Sequence, residues 1–152
     1  MAVKNLNTVK LEKKGGIGWI IFNRPEKRNA MSPELHFDMN EALDRMADDD
    51  DVKVVVITGA GKAFCAGQDL ALFFRANQDD AKARAKVGKA SHAWRWTKLV
   101  NFPKPTIAMV NGYCCGGAFT QLVSCDFALA AEDAIFGLSE VNWGILPGGI
   151  VS

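Results

Sequence analysis

The run Val54-Val55-Val56-Ile57 narrows most sharply what this chain can fold into. Four consecutive β-branched apolar side chains put hydrocarbon on both faces of a strand, an arrangement that is stable where a sheet is covered on both sides. Helices must then flank that sheet, and the expected class is α/β. The strand, read as residues 52–58, ends at the turn residues Gly59-Ala60-Gly61.

Neighbouring segments fit that class. Residues 8–12 and 17–23 are rich in apolar and β-branched residues on either side of Gly15-Gly16, which predicts a β-hairpin. Ser32-Pro33-Glu34 supplies an N-cap, a proline for the first helical position and an early acid, and Leu35, Met39, Ala42, Leu43 and Met46 follow at helical spacing. The acidic run 48–51 reads as the solvated end of that helix. A second helical stretch over 79–99 carries Ala83, Val87, Ala90 and Trp94 on one face, with Gly88 weakening it. Pro103 and Pro105 close it and lead into a strand over 106–111. Residues 112–117 then turn into a short helix reaching residue 125, and two short strands follow at 127–131 and 134–138.

Residues 1–152 read as one domain core, and a chain of this length can bury roughly 68–70% of the surface its unfolded form exposes. Residues 147–152 read as a loop leading into another element, so the sequence is expected to be the amino-terminal part of a larger fold. With 49% hydrophobic and 23% charged residues and a formal net charge of +1, nothing points to a nucleic-acid or membrane-surface partner. The first residues lack a signal-peptide layout and no apolar run is long enough to span a bilayer, so cytoplasmic residence is the expectation. Cys65, Cys114, Cys115 and Cys125 form no C-x-x-C pair and only His36 and His92 could join them, so no metal site is expected and the thiols read as free and apolar.

Three passages could carry chemistry. In Asn111-Gly112-Tyr113-Cys114-Cys115-Gly116-Gly117-Ala118-Phe119-Thr120, paired glycines allow close approach to the backbone, and the first amides of the following helix are unsatisfied donors suited to an oxyanion. The same glycines would equally serve tight packing of helix on sheet. Gly61 to Leu70 leaves a strand through small residues and offers amides near Gln68 as a second donor. As a dinucleotide or phosphate loop it fails, having Phe64 in place of the third glycine and no G-K-[ST]. Glu140, among Phe136, Leu138, Val141, Trp143, Ile145 and Leu146, is the best candidate acid/base, with a structural ion pair as the alternative. G-x-S-x-G is absent and both histidines fall in helical patterns as plain surface or core residues, which argues against a nucleophilic triad.

Taken together, Asn23-Arg24-Pro25-Glu26-Lys27-Arg28-Asn29-Ala30, Ala66-Gly67-Gln68-Asp69-Leu70, Lys104 to Gly112 and Phe136-Gly137-Leu138-Ser139-Glu140 resemble the crotonase superfamily in order and spacing. Trp94-Arg95-Trp96 and Ser139 to Gly144 look specifically like its hydroxycinnamoyl-CoA hydratase-lyase subgroup. The resemblance implies a ClpP-like spiral of ββα units, here without the carboxy-terminal helical region that covers the site and builds a trimer or dimer of trimers in relatives. It implies that the amides of Gln68 and Gly117 polarise a thioester carbonyl. It also implies that Lys27, Ala66, Gly67, Gln68, Asp69, Leu70, Ala71, Gly117, Ala118, Phe119 and Trp143 hold coenzyme A, which enters as part of an acyl-CoA substrate, with no cofactor.

Ordinary enoyl-CoA hydratases carry two glutamates; by the resemblance Thr120 stands where the first would be and Glu140 where the second would be. That pattern implies hydration of a hydroxycinnamoyl thioester, such as feruloyl-CoA, followed by retro-aldol cleavage to an aromatic aldehyde, vanillin, and acetyl-CoA. Thr120 would position the water or hydroxyl. Phe73 stands where the subgroup has a phenol-binding tyrosine, and Ala118 replaces the last of three glycines. A simple enoyl-CoA hydratase or isomerase, or a non-catalytic acyl-CoA-binding fragment, are the competing readings.

Overall fold

A computed structural model describes residues 6–75, 80–144 and 146 of the chain. Strands β1 (Val9–Lys14) and β2 (Ile17–Phe22) form the expected hairpin, turned by Gly15 and Gly16 at φ of 59° and 81°. Onto β2 are added, in parallel, β3 (Val54–Gly59), β5 (Thr106–Val110) and β7 (Phe127–Ala130), giving the order β1-β2-β3-β5-β7. A second sheet contains β4 (Ala63–Cys65), β6 (Tyr113–Cys115) and β8 (Phe136–Gly137), all parallel and in that order.

The two sheets are threaded together. Each of β3, β5 and β7 passes its chain to a short strand of the second sheet, which then enters a helix or helical turn. After β4 comes a π-helical turn (Ala71–Arg75), then α2 (Ala81–His92) and a second π-helical turn (Ala93–Lys98). After β6 comes α3 (Ala118–Ser124), and after β8 a 3-10 turn (Ser139–Trp143). This is a spiral of ββα units in the α/β class.

Helix α1 (Pro33–Asp48) forms where its capping residues require. Ser32 Oγ accepts the Leu35 N–H at 3.2 Å, and Leu35, Met39, Ala42, Leu43 and Met46 are each 5% exposed or less. That stripe packs with Ile20, Phe22, Val55, Ile57, Phe64 and Trp94 in one core. The five consecutive buried residues of β3, Val55 to Gly59, accord with a strand covered on both faces. Asp38 ties the start of β1 to α1 by accepting from the Thr8 N–H at 3.0 Å and the Thr8 hydroxyl at 2.8 Å.

Several boundaries differ from the sequence reading. β3 begins at Val54 because the Val52 N–H closes a turn on Asp49 O at 3.0 Å and the Lys53 N–H is taken by Gly16 O of the hairpin at 2.8 Å. The helix expected over 79–99 is two elements, α2 capped by Asp80 and then the π-helical turn. The acidic run is not simply solvated: Lys13 Nζ reaches Asp49 at 2.9 Å and Asp51 at 3.0 Å, while Lys104 Nζ donates to Met46 O and Asp49 O, each at 2.7 Å. Lys104 thus satisfies carbonyls left open at the C-terminus of α1, where a cation is also favoured by the helix dipole. Strands β4 and β6 were not expected; each has three residues, too few to show a period.

Because Leu43 is 1% exposed and lies in the stripe that binds α1 to the sheets, Leu43→Ala should lower unfolding free energy in urea by about 2–5 kcal/mol.

Candidate active site

Parallel strands release their chains on the same edge, and ligands of α/β sheets characteristically sit beyond the carboxyl ends of the strands. Gln68 lies three residues after β4, Gly117 two after β6 and Glu140 three after β8. Three residues far apart in sequence are thereby delivered to one place.

The first two exit loops touch backbone to backbone. Gly67 has φ +92°, and a Cβ there would lie 2.9 Å from Cys115 O and 3.4 Å from the Gly117 nitrogen. A Cβ on Gly117 would lie 3.8 Å from Gln68 Cγ and 3.4 Å from Met31 Cε. Met31 forms a parallel bridge with Gln68, donating to Gly67 O at 2.8 Å and accepting from the Asp69 N–H at 3.0 Å. Gly67 O and the Gln68 N–H belong to one trans peptide and point opposite ways, so with Gly67 O turned to Met31 the Gln68 N–H points away from it. Neither it nor the Gly117 N–H has an acceptor among the described residues.

Glu140 completes the group. Gly116, at φ +54°, turns the chain so that a Cβ there would meet Glu140 Oε1 at 3.2 Å. The carboxyl therefore rests on the backbone beside Gly117, and its Oε2 is buried with no hydrogen-bond partner among the described residues. Leaving a buried acceptor unsatisfied costs about 1–3 kcal/mol, which suits an atom reserved for a proton or hydroxyl from a ligand. Two free amide donors beside one carboxylate can stabilise an oxyanion while moving a proton nearby.

The Gln68 loop is held from two sides. Gln68 Oε1 meets His36 Nε2 at 3.1 Å, and His36 Nδ1 meets Trp94 Nε1 at 3.0 Å. Indole nitrogen only donates, so His36 Nδ1 accepts and the ring proton sits on Nε2, which donates to Gln68. His36 is 0% exposed; burial chiefly, and the charge of Arg95 secondarily, push its pKa down to about 3. On the other side, Arg24 Nη2 pairs with Asp69 Oδ2 at 3.0 Å, and Nη1 donates to Ala30 O. Asn29, fully buried at φ 56°, donates to Ala60 O and Ala63 O at 2.9 and 2.7 Å and so fastens this strap to β4.

The other expected residues fall as follows. Ala66 donates its N–H to Arg28 O at 3.0 Å; Leu70 and Ala71 are exposed beside the loop, and Lys27 is exposed in a 3-10 turn (Pro25–Lys27). Phe73 sets its ring edge-on to His36, with centroids 5.6 Å apart. Ala118 and Thr120 are buried on α3, and Phe119 packs edge-on against Phe136 at 6.1 Å. The Trp143 backbone lies in the last 3-10 turn; its side chain, with Ile145 and residues 147–152, lies outside the described residues. The seven residues of α3 make a short helix, so the donor of interest is the Gly117 amide itself rather than a long dipole.

Sequence reasoning missed His36, Trp94, Arg24 and Asn29 as supports. Of the surface or core placement expected for it, His36 takes the core, and a polar ring within the buried stripe of α1 was a sign that it needed partners. Cys65, Cys114 and Cys125 are free, and burial raises each thiol to about 12. Among the described residues no His/Cys/Asp/Glu cluster could hold a metal, and no helix is long and apolar enough to cross a membrane.

The enoyl-CoA hydratase/isomerase family model matches residues 12–152. The chain is 49% identical over 146 residues to a hydroxycinnamoyl-CoA hydratase-lyase of Pseudomonas fluorescens, covering 95% of this chain and 53% of that protein. It is 37% identical over 145 residues to a probable mitochondrial enoyl-CoA hydratase of Dictyostelium discoideum, covering 95% and 50%. A crystal structure of an enoyl-CoA hydratase from Shewanella pealeana superposes with TM-score 0.84 at 29% identity, covering 94% of this chain and 54% of that one. The chain thus spans about half the length of these relatives.

Two tests follow from the geometry. Gly67→Ala requires a strained backbone and a clash with Cys115 O, so it should destabilise by about 1–3 kcal/mol or more, whereas Gly117→Ala, at φ −57° with only van der Waals neighbours, should cost under about 1 kcal/mol in the same urea titration. His36 has a folded pKa of about 3 against an ordinary 6.5, so between those values the unfolded chain binds the extra proton and stability falls as pH falls. Wild type should lose up to about 1.4 kcal/mol per pH unit from this residue below pH 6.5, and His36→Gln should remove that component between pH 6.5 and 5.

Proposed function

This chain belongs to the enoyl-CoA hydratase/isomerase family, and on that premise we propose that it forms the thioester-binding part of a hydratase-lyase acting on hydroxycinnamoyl-CoA. The observation that carries this reading is the convergence of two unpartnered amides, of Gln68 and Gly117, beside a carboxyl with one unsatisfied oxygen. The 49% identity to a hydroxycinnamoyl-CoA hydratase-lyase supports the choice of substrate.

In this mechanism the thioester oxygen lies between the two N–H groups, which hold it more strongly as it gains charge. Glu140 takes a proton from water as the water oxygen bonds to the β-carbon; electrons move into the thioester as an enolate, and the proton returns to the α-carbon. Glu140 then removes the β-hydroxyl proton, the bond between α- and β-carbons breaks, and the aldehyde leaves. The acetyl enolate takes the proton back to give acetyl-CoA. With feruloyl-CoA the aldehyde is vanillin. Thr120 orients the water or hydroxyl, and Lys27 with residues 66–71, 117–119 and Trp143 holds coenzyme A.

Phe73 favours a second reading. Its ring has no hydroxyl to address a phenol and lies against His36, which suits a simple hydratase of a less polar acyl group. Product analysis with feruloyl-CoA separates the two: vanillin plus acetyl-CoA is expected, whereas accumulation of a stable β-hydroxyacyl-CoA would establish the simple hydratase. Glu140→Ala should lower kcat by about 10²–10⁴ while leaving thioester affinity within about threefold by calorimetry. Unchanged turnover in that variant would remove Glu140 from the mechanism.

A further inference from the structure

Behind Gly117 stands a buried cation. Arg95, in the π-helical turn after α2, is 9% exposed. Its Nε donates to Ser91 O at 3.3 Å, Nη2 to Ser91 Oγ, and Nη1 to Gly117 O at 3.4 Å. A Cβ on Gly117 would lie 3.6 Å from Nη1, so the guanidinium is directly against the residue whose N–H faces the site.

Among the described residues no carboxylate pairs with Arg95, although Lys13, Arg24, Arg45 and Lys98 all have one. Burial lowers its pKa to about 10, which still leaves it charged at neutral pH. Its guanidinium lies over the Trp94 ring at 5.9 Å, but a buried charge without a counter-ion is a poor device for stability, and apolar residues of similar volume commonly serve a fold as well or better. Its place is better explained by a negative charge that arises nearby only during reaction.

We propose that Arg95 is a positioning residue for the oxyanion site, fixing Gly117 through its carbonyl and holding a positive charge that is matched only when the thioester oxygen becomes an enolate. This rests on the thioester reading above. Such a charge favours the transition state over bound substrate, so its loss should appear in kcat rather than KM.

The test mixes the whole chain in excess with 4-hydroxycinnamoyl-CoA and reads the bound thioester by stopped flow before turnover consumes it; the absorption band moves to longer wavelength when its carbonyl is polarised. Arg95→Met keeps the side-chain volume without charge, and Arg95→Lys keeps charge without the planar fork. Wild type should shift the band; Arg95→Met should retain less than half of the shift, bind the thioester within about threefold of wild type and melt no lower, while Arg95→Lys should be intermediate. Where turnover is measured, Arg95→Met should lower kcat about tenfold or more with little change in KM. A full shift in Arg95→Met overturns the role of Arg95 and leaves the thioester reading standing. Loss of shift together with loss of melting temperature and binding marks a packing residue and also overturns it. If Arg95→Met does not fold, its stability premise fails, and Arg95→Gln supplies the spectral comparison. A wild-type protein that binds the thioester without a shift, or does not bind it, removes the thioester reading itself and this role with it.

Discussion

The parallel pairing of β4, β6 and β8 is the constraint on which the rest depends. Their register, with Cys65 opposite Cys114, Cys114 opposite Phe136 and Cys115 opposite Gly137, makes three chain segments leave the sheet side by side. A slip of one residue would reverse which side chains face the core and would separate the loops that follow. The close approach of Gly67 to the Gly117 nitrogen and the seat of Glu140 on Gly116 are consequences of that register. Glycine is needed at 67 and 116 because the backbone has positive φ there; at 117, where φ is −57°, the conformation does not demand it.

Pairing alone would leave the Gln68 loop free to tilt. The Trp94–His36–Gln68 chain and the Arg24–Asp69 pair hold it on two sides, and both are largely shielded from water. Each neutral hydrogen bond contributes a net of about 0.5–1.5 kcal/mol, but a buried group left unpaired costs about 1–3 kcal/mol, so the network acts mainly by penalising displacement. A neutral histidine is well chosen for this purpose: at its low pKa it stays a donor to Gln68 through ordinary changes of pH.

Legibility in the sequence followed the range of the interactions. Helix α1 was readable because its cap, proline and apolar spacing all lie within one segment, and β3 because its residues are apolar on both faces. β4 and β6 were not readable, being three residues each and held by strands distant in the chain, β4 by β6 about fifty residues further on and β6 by β8 as well. Local pattern singled out the glycine turn at 116–117, the amides near Gln68 and Glu140 as candidates, and only resemblance to a family joined them as one site with Gln68 and Gly117 as the donor pair. Asn29, His36 and Arg95 escaped notice as supports because their partners lie 22 to 58 residues away in several cases and composition carries no trace of such pairs. Lys27, singled out by likeness alone, lies on an exposed 3-10 turn with no local pattern of its own to mark it.

The outermost strand has a different kind of consequence. β7 is bonded to β5 along one side only among the described residues, all four of its residues are exposed, and Phe127 and Leu129 show 63% and 59% of their surface. Open peptide groups joined to bare aromatic and aliphatic surface form a template on which further strands can stack. Such an edge is where a further strand or a covering element would be received, and Phe127 and Leu129 are the side chains it would shelter.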